Sequence, residues 1–208
     1  MNNQLNLHAV QIFIILLLPG FLLTACLGNN TRPASYYLLT ADKSHDVVLS
    51  ATDDKPAILI RAVTIPDYLA RKQIVSRNSA HGLMVSDQHR WGGKFRKNIE
   101  RVLANNLSYY LSSANVAVSP HSQPIDPTYF LEVSINEFER LENGQVILSA
   151  DWYLLYPESL KSVRFAKESI SSENTVAEND YNAIVGSMSN ALDVLGHKIA
   201  YAVSQQAN

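Results

Sequence analysis

The sequence predicts an α+β fold, in which two long helices pack on a mixed or antiparallel sheet as an α/β sandwich. Segments 94–112 and 180–203 repeat apolar residues every three or four positions, which is the spacing of a helix with one buried face. The remaining segments are short, rich in β-branched and aromatic residues, and bounded by Pro, Gly or Asn. The predicted order is four strands, a helix, four further strands and a final helix.

An apolar run precedes the single cysteine of the chain. It covers residues 12–25, about 14 positions interrupted by Pro19-Gly20, whereas a membrane-spanning helix needs roughly 20 apolar residues. This length is typical of the core of a signal peptide, although the residues before it include no Lys or Arg. Leu23-Thr24-Ala25-Cys26 resembles the lipobox of bacterial lipoproteins, so we predict that Cys26 is lipidated and the segment before it removed. An uncleaved anchor and a buried core segment are the alternatives.

Cleavage before Cys26 divides the chain into three predicted parts. Residues 1–25 are a lipoprotein signal peptide, residues 26–34 a lipidated tether, and residues 35–208 a single domain large enough for its own core. The formal charge is −2, and this balance argues against general nucleic-acid binding, which usually shows a strong basic excess. With its one cysteine lipidated, the domain has no disulfide and depends on its apolar core for stability.

The first part of the domain is predicted to contain four strands. Residues 35–39 form the first, and residues 57–65 form the second until Pro66 interrupts the alternation. Residues 73–77 and 83–85 are separated by a turn-like stretch and predict a hairpin. These strands precede the first helix.

The second part of the domain is predicted to contain one short strand, a meander of three longer strands and the final helix. Asn143-Gly144 favours a hairpin turn because these residues tolerate positive φ, and Asp180 is a suitable N-cap for the final helix. Trp152 and Tyr153 are predicted to pack in the core or against neighbouring strands. The strands are predicted at residues 115–119, 129–141, 146–156 and 163–171.

The sequence contains no recognisable catalytic or cofactor-binding set. Its six histidines are scattered and form no i, i+4 pair on a predicted helix, so no metal site is predicted. There is neither a Gly-x-Ser-x-Gly motif nor a phosphate-binding loop of the Gly-x-x-x-x-Gly-Lys type. Glu137 and Glu139 fall on one face of a predicted strand and are interpreted as strand-edge charges. We therefore predict a non-catalytic protein without a cofactor.

Basic residues are concentrated in one part of the chain. Residues 61–101 hold nine Lys and Arg against three Asp and Glu, a formal charge of +6, which leaves −8 for the rest of a chain whose total is −2. Such asymmetry can attract an acidic partner or anionic lipid headgroups. The alternative is an ordinary solvated helix face with charged strand ends.

Three residues in this basic stretch are candidates for binding a partner protein, since Trp, Tyr and Arg dominate binding hot spots. Tyr68 lies in the turn after Pro66 and is expected to be an exposed anchor, with Arg71 close by. Trp91 precedes the first helix, where it either caps the core or faces the partner.

Four stretches together resemble a known family. They are Tyr36-Tyr37-Leu38-Leu39 soon after the lipobox, residues 65–77, His89-Arg90-Trp91, and residues 99–107. Their joint pattern is similar to that of the PqiC-like ABC-type transport auxiliary lipoproteins, and the resemblance covers nearly all of the chain after Cys26.

The resemblance implies an outer-membrane lipoprotein that faces the periplasm. Its implied partners are an inner-membrane transporter and an MCE-type periplasmic tunnel protein, which carry lipids between the two membranes. The implied fold is similar to the N-terminal domain of TolB. Leu27 follows Cys26 at the position where Asp would retain a lipoprotein in the inner membrane, so the outer membrane is favoured.

On this basis we expect a non-catalytic accessory protein that docks the tunnel protein at the outer membrane. The main alternative is a structural envelope lipoprotein that assists the assembly of an outer-membrane or secretion complex, and an envelope hydrolase is a further one. The sequence leaves the oligomeric state open, and a ring-like homo-oligomer would suit a protein that terminates a tunnel.

Overall fold

Strands of one sheet and two long helices make up the part of the chain that the structure describes. This computed structural model describes residues 33–41, 56–112, 115–120 and 126–206. Within them, eight strands and two α-helices follow one another in the predicted order, so the α+β class is confirmed. The strands are β1 (Ser35–Tyr37), β2 (Ile58–Thr64), β3 (Gln73–Arg77), β4 (Leu83–Trp91), β5 (Val116–Val118), β6 (Tyr129–Arg140), β7 (Val146–Leu155) and β8 (Ser162–Ser171). The helices are α1 (Phe95–Tyr110) and α2 (Tyr181–Gln206), with a 3₁₀ turn at Asp67–Leu69.

The long strand β6 is the centre of a mixed sheet. β7 and β8 follow along one edge of β6 as an antiparallel meander. The other edge is shared by two parallel strands, because β2 pairs with the first half of β6 and β3 pairs at Arg140 near its end. β5 extends the sheet from β2, while β4 and β1 extend it from β3. The sheet therefore divides into two branches, and the antiparallel pairing of β3 with β4 confirms the predicted hairpin.

A bulge in β6 changes which of its residues face the core. From Tyr129 to Ile135 alternate side chains are buried, as the sequence pattern predicts. The pairing with β7 shifts after Ile135 and leaves Asn136 exposed. Phe138 then enters the core, and Glu139 is 0 % exposed. The interpretation of Glu139 as a strand-edge charge is therefore wrong, because the bulge and the covering segment before β3 enclose it.

The meander and the final helix pack as the sequence indicates. Trp152 of β7 is 2 % exposed, and Tyr153 stacks on Phe165 of β8 with 4.7 Å between the ring centroids. Asp180 caps α2, since its Oδ1 accepts a hydrogen bond from the backbone N–H of Ala183 at 3.0 Å. These observations confirm the predicted packing of Trp152 and Tyr153 and the predicted start of the last helix.

The short edge strand β1 is attached to the domain by aromatic and polar contacts. The Tyr37 hydroxyl and Nδ1 of His89 on β4 are hydrogen-bonded at 2.8 Å. The His89 ring stacks on Tyr181 at the start of α2 with 3.8 Å between the centroids. Just after β1, the backbone N–H of Leu39 donates to Asn98 Oδ1 on α1 at 2.6 Å. β1 is thereby fixed beside the end of β4 and the start of both helices.

A buried carboxylate joins the end of β6 to the turn before β3. Glu139 Oε1 accepts a hydrogen bond from Arg77 Nε at 2.7 Å. Its Oε2 accepts from the Tyr68 hydroxyl and from the backbone N–H of Phe138, each at 2.8 Å. These donors replace the water that the carboxylate loses on burial. We call Tyr68, Arg77 and Glu139 the carboxylate latch, because together they hold the turn against β6.

Removing Arg77 should destabilise the domain strongly, since Glu139 would remain buried without its ionic partner. We expect Arg77→Ala to lower the free energy of unfolding by about 3–5 kcal/mol. The matched control is Arg61→Ala, because Arg61 pairs with Glu132 where both side chains are partly exposed, and such pairs contribute about 0–1 kcal/mol. Urea denaturation followed by circular dichroism measures both losses. Equal losses in the two variants would contradict the role of burial.

The latch also predicts a dependence of stability on alkaline pH. Burial, followed by the hydrogen bond and charge of Glu139, raises the pKa of the Tyr68 phenol above its ordinary value, against an opposing effect of Arg77. The folded state therefore favours the neutral phenol. This contribution to stability is present below pH about 10 and is lost as the pH rises through the folded pKa.

Stability should accordingly fall more steeply above pH about 10 in the wild type than in Tyr68→Phe, which has no phenol to ionise at this position. Urea unfolding at a series of pH values gives both slopes. Tyr201→Phe, at an exposed position, is the control and should follow the wild type. If Tyr68→Phe also follows the wild type, the phenol is not the titrating group.

Candidate functional site

A cleft lies where the two branches of the sheet separate. Its walls come from the end of β2, the segment before β3, the junction of β4 with α1, and β1. Its volume is about 990 Å³. We call it the basic cleft, and its lining residues are Tyr36, Val63, Thr64, Ile65, Ala70, Arg71, Lys72, Arg90, Trp91, Gly92, Gly93, Lys94, Phe95 and Arg96.

Cations dominate the charge of the basic cleft. Among the described residues, five basic side chains line it and no acidic side chain does. Arg96 is ion-paired with Glu100, one turn further along α1. The other four cations have no carboxylate within ion-pair distance in the described part of the chain; they are Arg71, Lys72, Arg90 and Lys94. Five of the nine cations in the basic stretch of the sequence thus line one cavity, and the others lie elsewhere on the domain.

The start of α1 adds to the positive potential of the cleft. Gly92 and Gly93 lead into the helix, and Lys94 at the N-cap position makes no side-chain hydrogen bond to the first turn. Helix N-termini favour acidic side chains, yet the first turn of α1 has none and instead contains Arg96 and Lys97. Glu100 in the next turn pairs with both of these cations, so among the described residues Lys94 is left without a carboxylate at the positive end of the helix dipole, where an anion would be stabilised.

The floor of the cleft is apolar. Trp91, the last residue of β4, is 5 % exposed and stacks on Phe95 with 4.2 Å between the ring centroids. The backbone N–H of Trp91 donates to the carbonyl of Lys72 at 2.7 Å, which ties the floor to the wall before β3. Val63 lines the cleft from within the core, and half-buried Ile65 adds accessible aliphatic surface. A cationic rim above an apolar floor suits a ligand with one anionic end and one apolar end.

Two of the three residues predicted to bind a partner line the cleft. Arg71 is exposed on its rim, and Trp91 forms its floor while also packing in the core. Tyr68 does not line the cleft and is partly buried against the core, so the structure does not show the exposed anchor expected there. The phenol of Tyr68 instead donates a hydrogen bond to the buried carboxylate of Glu139. Tyr68 therefore positions the segment that carries Arg71.

Other lining residues were not singled out from the sequence as site residues. The parallel pairing of β1 with β4 brings Tyr36 beside Arg90. The high density of cations between residues 61 and 101 indicated the region. It did not indicate which of these cations line the same cleft, because their proximity depends on pairing between strands that are far apart in sequence.

The predicted anchor lies outside the described residues, which do not include Cys26, the signal peptide or most of the tether. No helix in the described part combines the length and apolar character needed to cross a membrane. Within the same ranges, no group of three or more His, Cys, Asp or Glu is placed to hold a metal ion.

Sequence comparison relates the chain to transport lipoproteins. Residues 37–200 match the model of a family described as the ABC-type transport auxiliary lipoprotein component. The chain is 26 % identical over 140 residues to the intermembrane transport lipoprotein PqiC of Escherichia coli strain K12, a match that covers 67 % of this chain and 73 % of that protein. PqiC of Shigella flexneri matches to the same extent.

Solved structures share the fold. A crystal structure of a Xanthomonas campestris protein superimposes with a TM-score of 0.69 at 15 % identity, covering 84 % of this chain and 98 % of that chain. A crystal structure of an uncharacterised protein gives a TM-score of 0.62 at 20 % identity, covering 82 % of this chain and 99 % of that chain. At these identities the likeness shows the fold alone. Because the family model matches most of its length, this protein belongs to the ABC-type transport auxiliary lipoprotein family.

Proposed function

We propose that this protein is a non-catalytic accessory component of an intermembrane lipid-transport system, anchored in the outer membrane and facing the periplasm. In this role it docks an MCE-type periplasmic tunnel protein, which works with an inner-membrane transporter, at the outer-membrane end of the path. The family match over residues 37–200 is the observation that carries the proposal. The E. coli relative, itself named an intermembrane transport lipoprotein, supports the same process.

Lipidation at Cys26 supports a position at the membrane surface. A single acyl chain binds a membrane only marginally, whereas the several chains of a lipoprotein cysteine anchor it stably. The tether over residues 26–34 can reach at most about 30 Å when extended. The domain therefore works close to the membrane, where a partner arriving from across the periplasm would meet it.

The chemistry of the described residues supports binding in preference to catalysis. Acid–base catalysis uses titratable groups whose environments separate their pKa values. The basic cleft, in the part of the chain that the structure describes, is lined by cations without a carboxylate or a histidine. The buried carboxylate of Glu139 lies in the latch, where its oxygens accept bonds from Tyr68, Arg77 and the backbone.

Removing the acceptor cysteine tests the anchor. Cys26→Ala should leave the domain folded, because the domain core lies after the tether, and should shift the protein out of the outer-membrane fraction. Membrane fractionation gives the location, and circular dichroism of the purified variant gives the fold. The control is Cys26 retained with Asn29→Ala in the tether, which should remain in the outer membrane. A Cys26→Ala protein that still fractionates with the outer membrane and supports transport would count against the anchoring role.

Affinity capture tests the docking role. Tagged wild-type protein, extracted in mild detergent, should retain an MCE-type protein identified by mass spectrometry. The control carries residues 1–34 fused to an unrelated soluble domain with the same tag, so that it shares the anchor and lacks residues 35–208. Retention of the MCE-type protein by both baits, or by neither, would argue against docking through this domain.

A further inference from the structure

We propose that the basic cleft binds the headgroup and the first acyl segment of an anionic phospholipid, such as phosphatidylglycerol. The inference rests on the proposed function in one respect, because it requires that the tether holds the domain at a membrane. It deepens that function, since the accessory protein then binds lipid through its folded domain as well as through its anchor.

The cations of the cleft are available to a ligand. Arg71, Lys72 and Lys94 are exposed and have no carboxylate partner among the described residues. Arg90 donates from Nη2 to the backbone carbonyl of Asp87 at 3.3 Å, and its buried Nε has no hydrogen-bond partner. Guanidinium and ammonium groups form strong charge-assisted hydrogen bonds with phosphate oxygens. A phosphate in the cleft would therefore relieve the mutual repulsion of these groups.

The first turn of α1 favours the same class of ligand. Its N-cap residue Lys94 leaves the first backbone N–H groups without a side-chain acceptor, and no acidic residue follows in the first turn. Arg96 and Lys97 are both ion-paired with Glu100, which leaves Lys94 as the cation at this helix end without a carboxylate partner among the described residues. A bound anion would accept hydrogen bonds from the backbone N–H groups of this turn and pair with Lys94.

The apolar floor distinguishes a lipid from a plain anion. A free phosphate would use the cations and leave the accessible apolar lining, exposed Tyr36 and half-buried Ile65, uncovered in a cleft of about 990 Å³. An acidic peptide would likewise satisfy the charges without an acyl segment to cover this surface. A phospholipid supplies the phosphate and the acyl segment in one molecule, so it can contact both kinds of lining residue.

The mouth of the cleft carries apolar groups that suit a membrane interface. On and beside the edge strand β1, Tyr36 is 65 % exposed and Leu38 is 53 % exposed. Tyrosine is enriched where a protein meets the headgroup region. Tyr36 follows the predicted lipidation site Cys26 by ten positions, so an extended chain between them spans at most about 35 Å. The anchor therefore keeps this mouth within reach of lipid.

The test is isothermal titration calorimetry of the full lipidated protein in neutral detergent micelles. Water-soluble dihexanoyl phosphatidylglycerol is the probe, and micelles without protein give the background. We expect saturable binding, and at least about tenfold weaker binding of glycerophosphoglycerol, which has the headgroup without acyl chains. Dihexanoyl phosphatidylcholine should also bind at least about tenfold less tightly, because its choline cation is repelled by the rim.

Matched double variants locate the site. Arg71→Gln with Lys94→Gln removes two exposed cations of the rim and should preserve the fold, since neither has an ion-pair partner among the described residues. We expect the affinity for phosphatidylglycerol to fall at least about tenfold, because two charge-assisted hydrogen bonds are lost. Lys161→Gln with Arg164→Gln removes the same charge from exposed positions outside the cleft and should keep the affinity within about twofold.

Four results would overturn the inference. They are the absence of saturable binding by the wild type, equal affinity for glycerophosphoglycerol, tighter binding of a hexaglutamate peptide, and unchanged affinity in the Arg71→Gln, Lys94→Gln variant. Affinity capture of the MCE-type protein is measured without added lipid. A failed titration with capture intact therefore rejects the lipid site alone, and failed capture with an intact titration rejects the docking role alone.

Discussion

The architecture depends on two strands sharing one edge of β6. β2 occupies the first half of that edge and β3 the end, so residues 65–72 must cross between them without joining the sheet. Pro66 ends β2, since proline cannot donate to a neighbouring strand, and the 3₁₀ turn follows. Within the described residues no strand pairs with β6 between β2 and β3, and the crossing segment supplies Ile65, Ala70, Arg71 and Lys72 to the wall of the basic cleft. The pairing of β2 and β3 with the same edge of β6 therefore determines both the arrangement of the sheet and the position of the candidate site.

The same crossing explains how a carboxylate is accommodated in the interior. Taking an unpaired carboxylate out of water would cost several kcal/mol. The crossing segment supplies the Tyr68 hydroxyl, and β3 supplies the Arg77 guanidinium, so Glu139 is satisfied only when both are in place. The latch thereby favours one position of the segment that carries Arg71. The position of Arg71 on the rim of the cleft thus depends on a polar interaction among residues that do not line the cleft.

Local patterns predicted most of the fold. The apolar stripes of both helices, the Asn143-Gly144 turn and the alternation in the first half of β6 each depend on residues that are close in sequence. The bulge at Asn136 and the burial of Glu139 depend on partners far along the chain, and Tyr68 is 71 positions from the carboxylate it contacts. The family resemblance indicated the class of function, whereas the cleft became visible only through the pairing of β1 with β4 and of β3 with β6.

The branch formed by β3, β4 and β1 has a thin attachment to the rest of the sheet. Within the described residues, its backbone pairing with β6 is confined to Ser76 and Arg140. Regions with few shared backbone bonds open at a lower free energy than the whole domain and do so as cooperative units. Amide hydrogens of this branch are therefore expected to exchange with solvent before those of β6 and β7. The branch supplies much of the cleft wall, so a ligand that binds only when the branch is closed would stabilise it. Amide exchange in the branch should then slow as the ligand concentration rises.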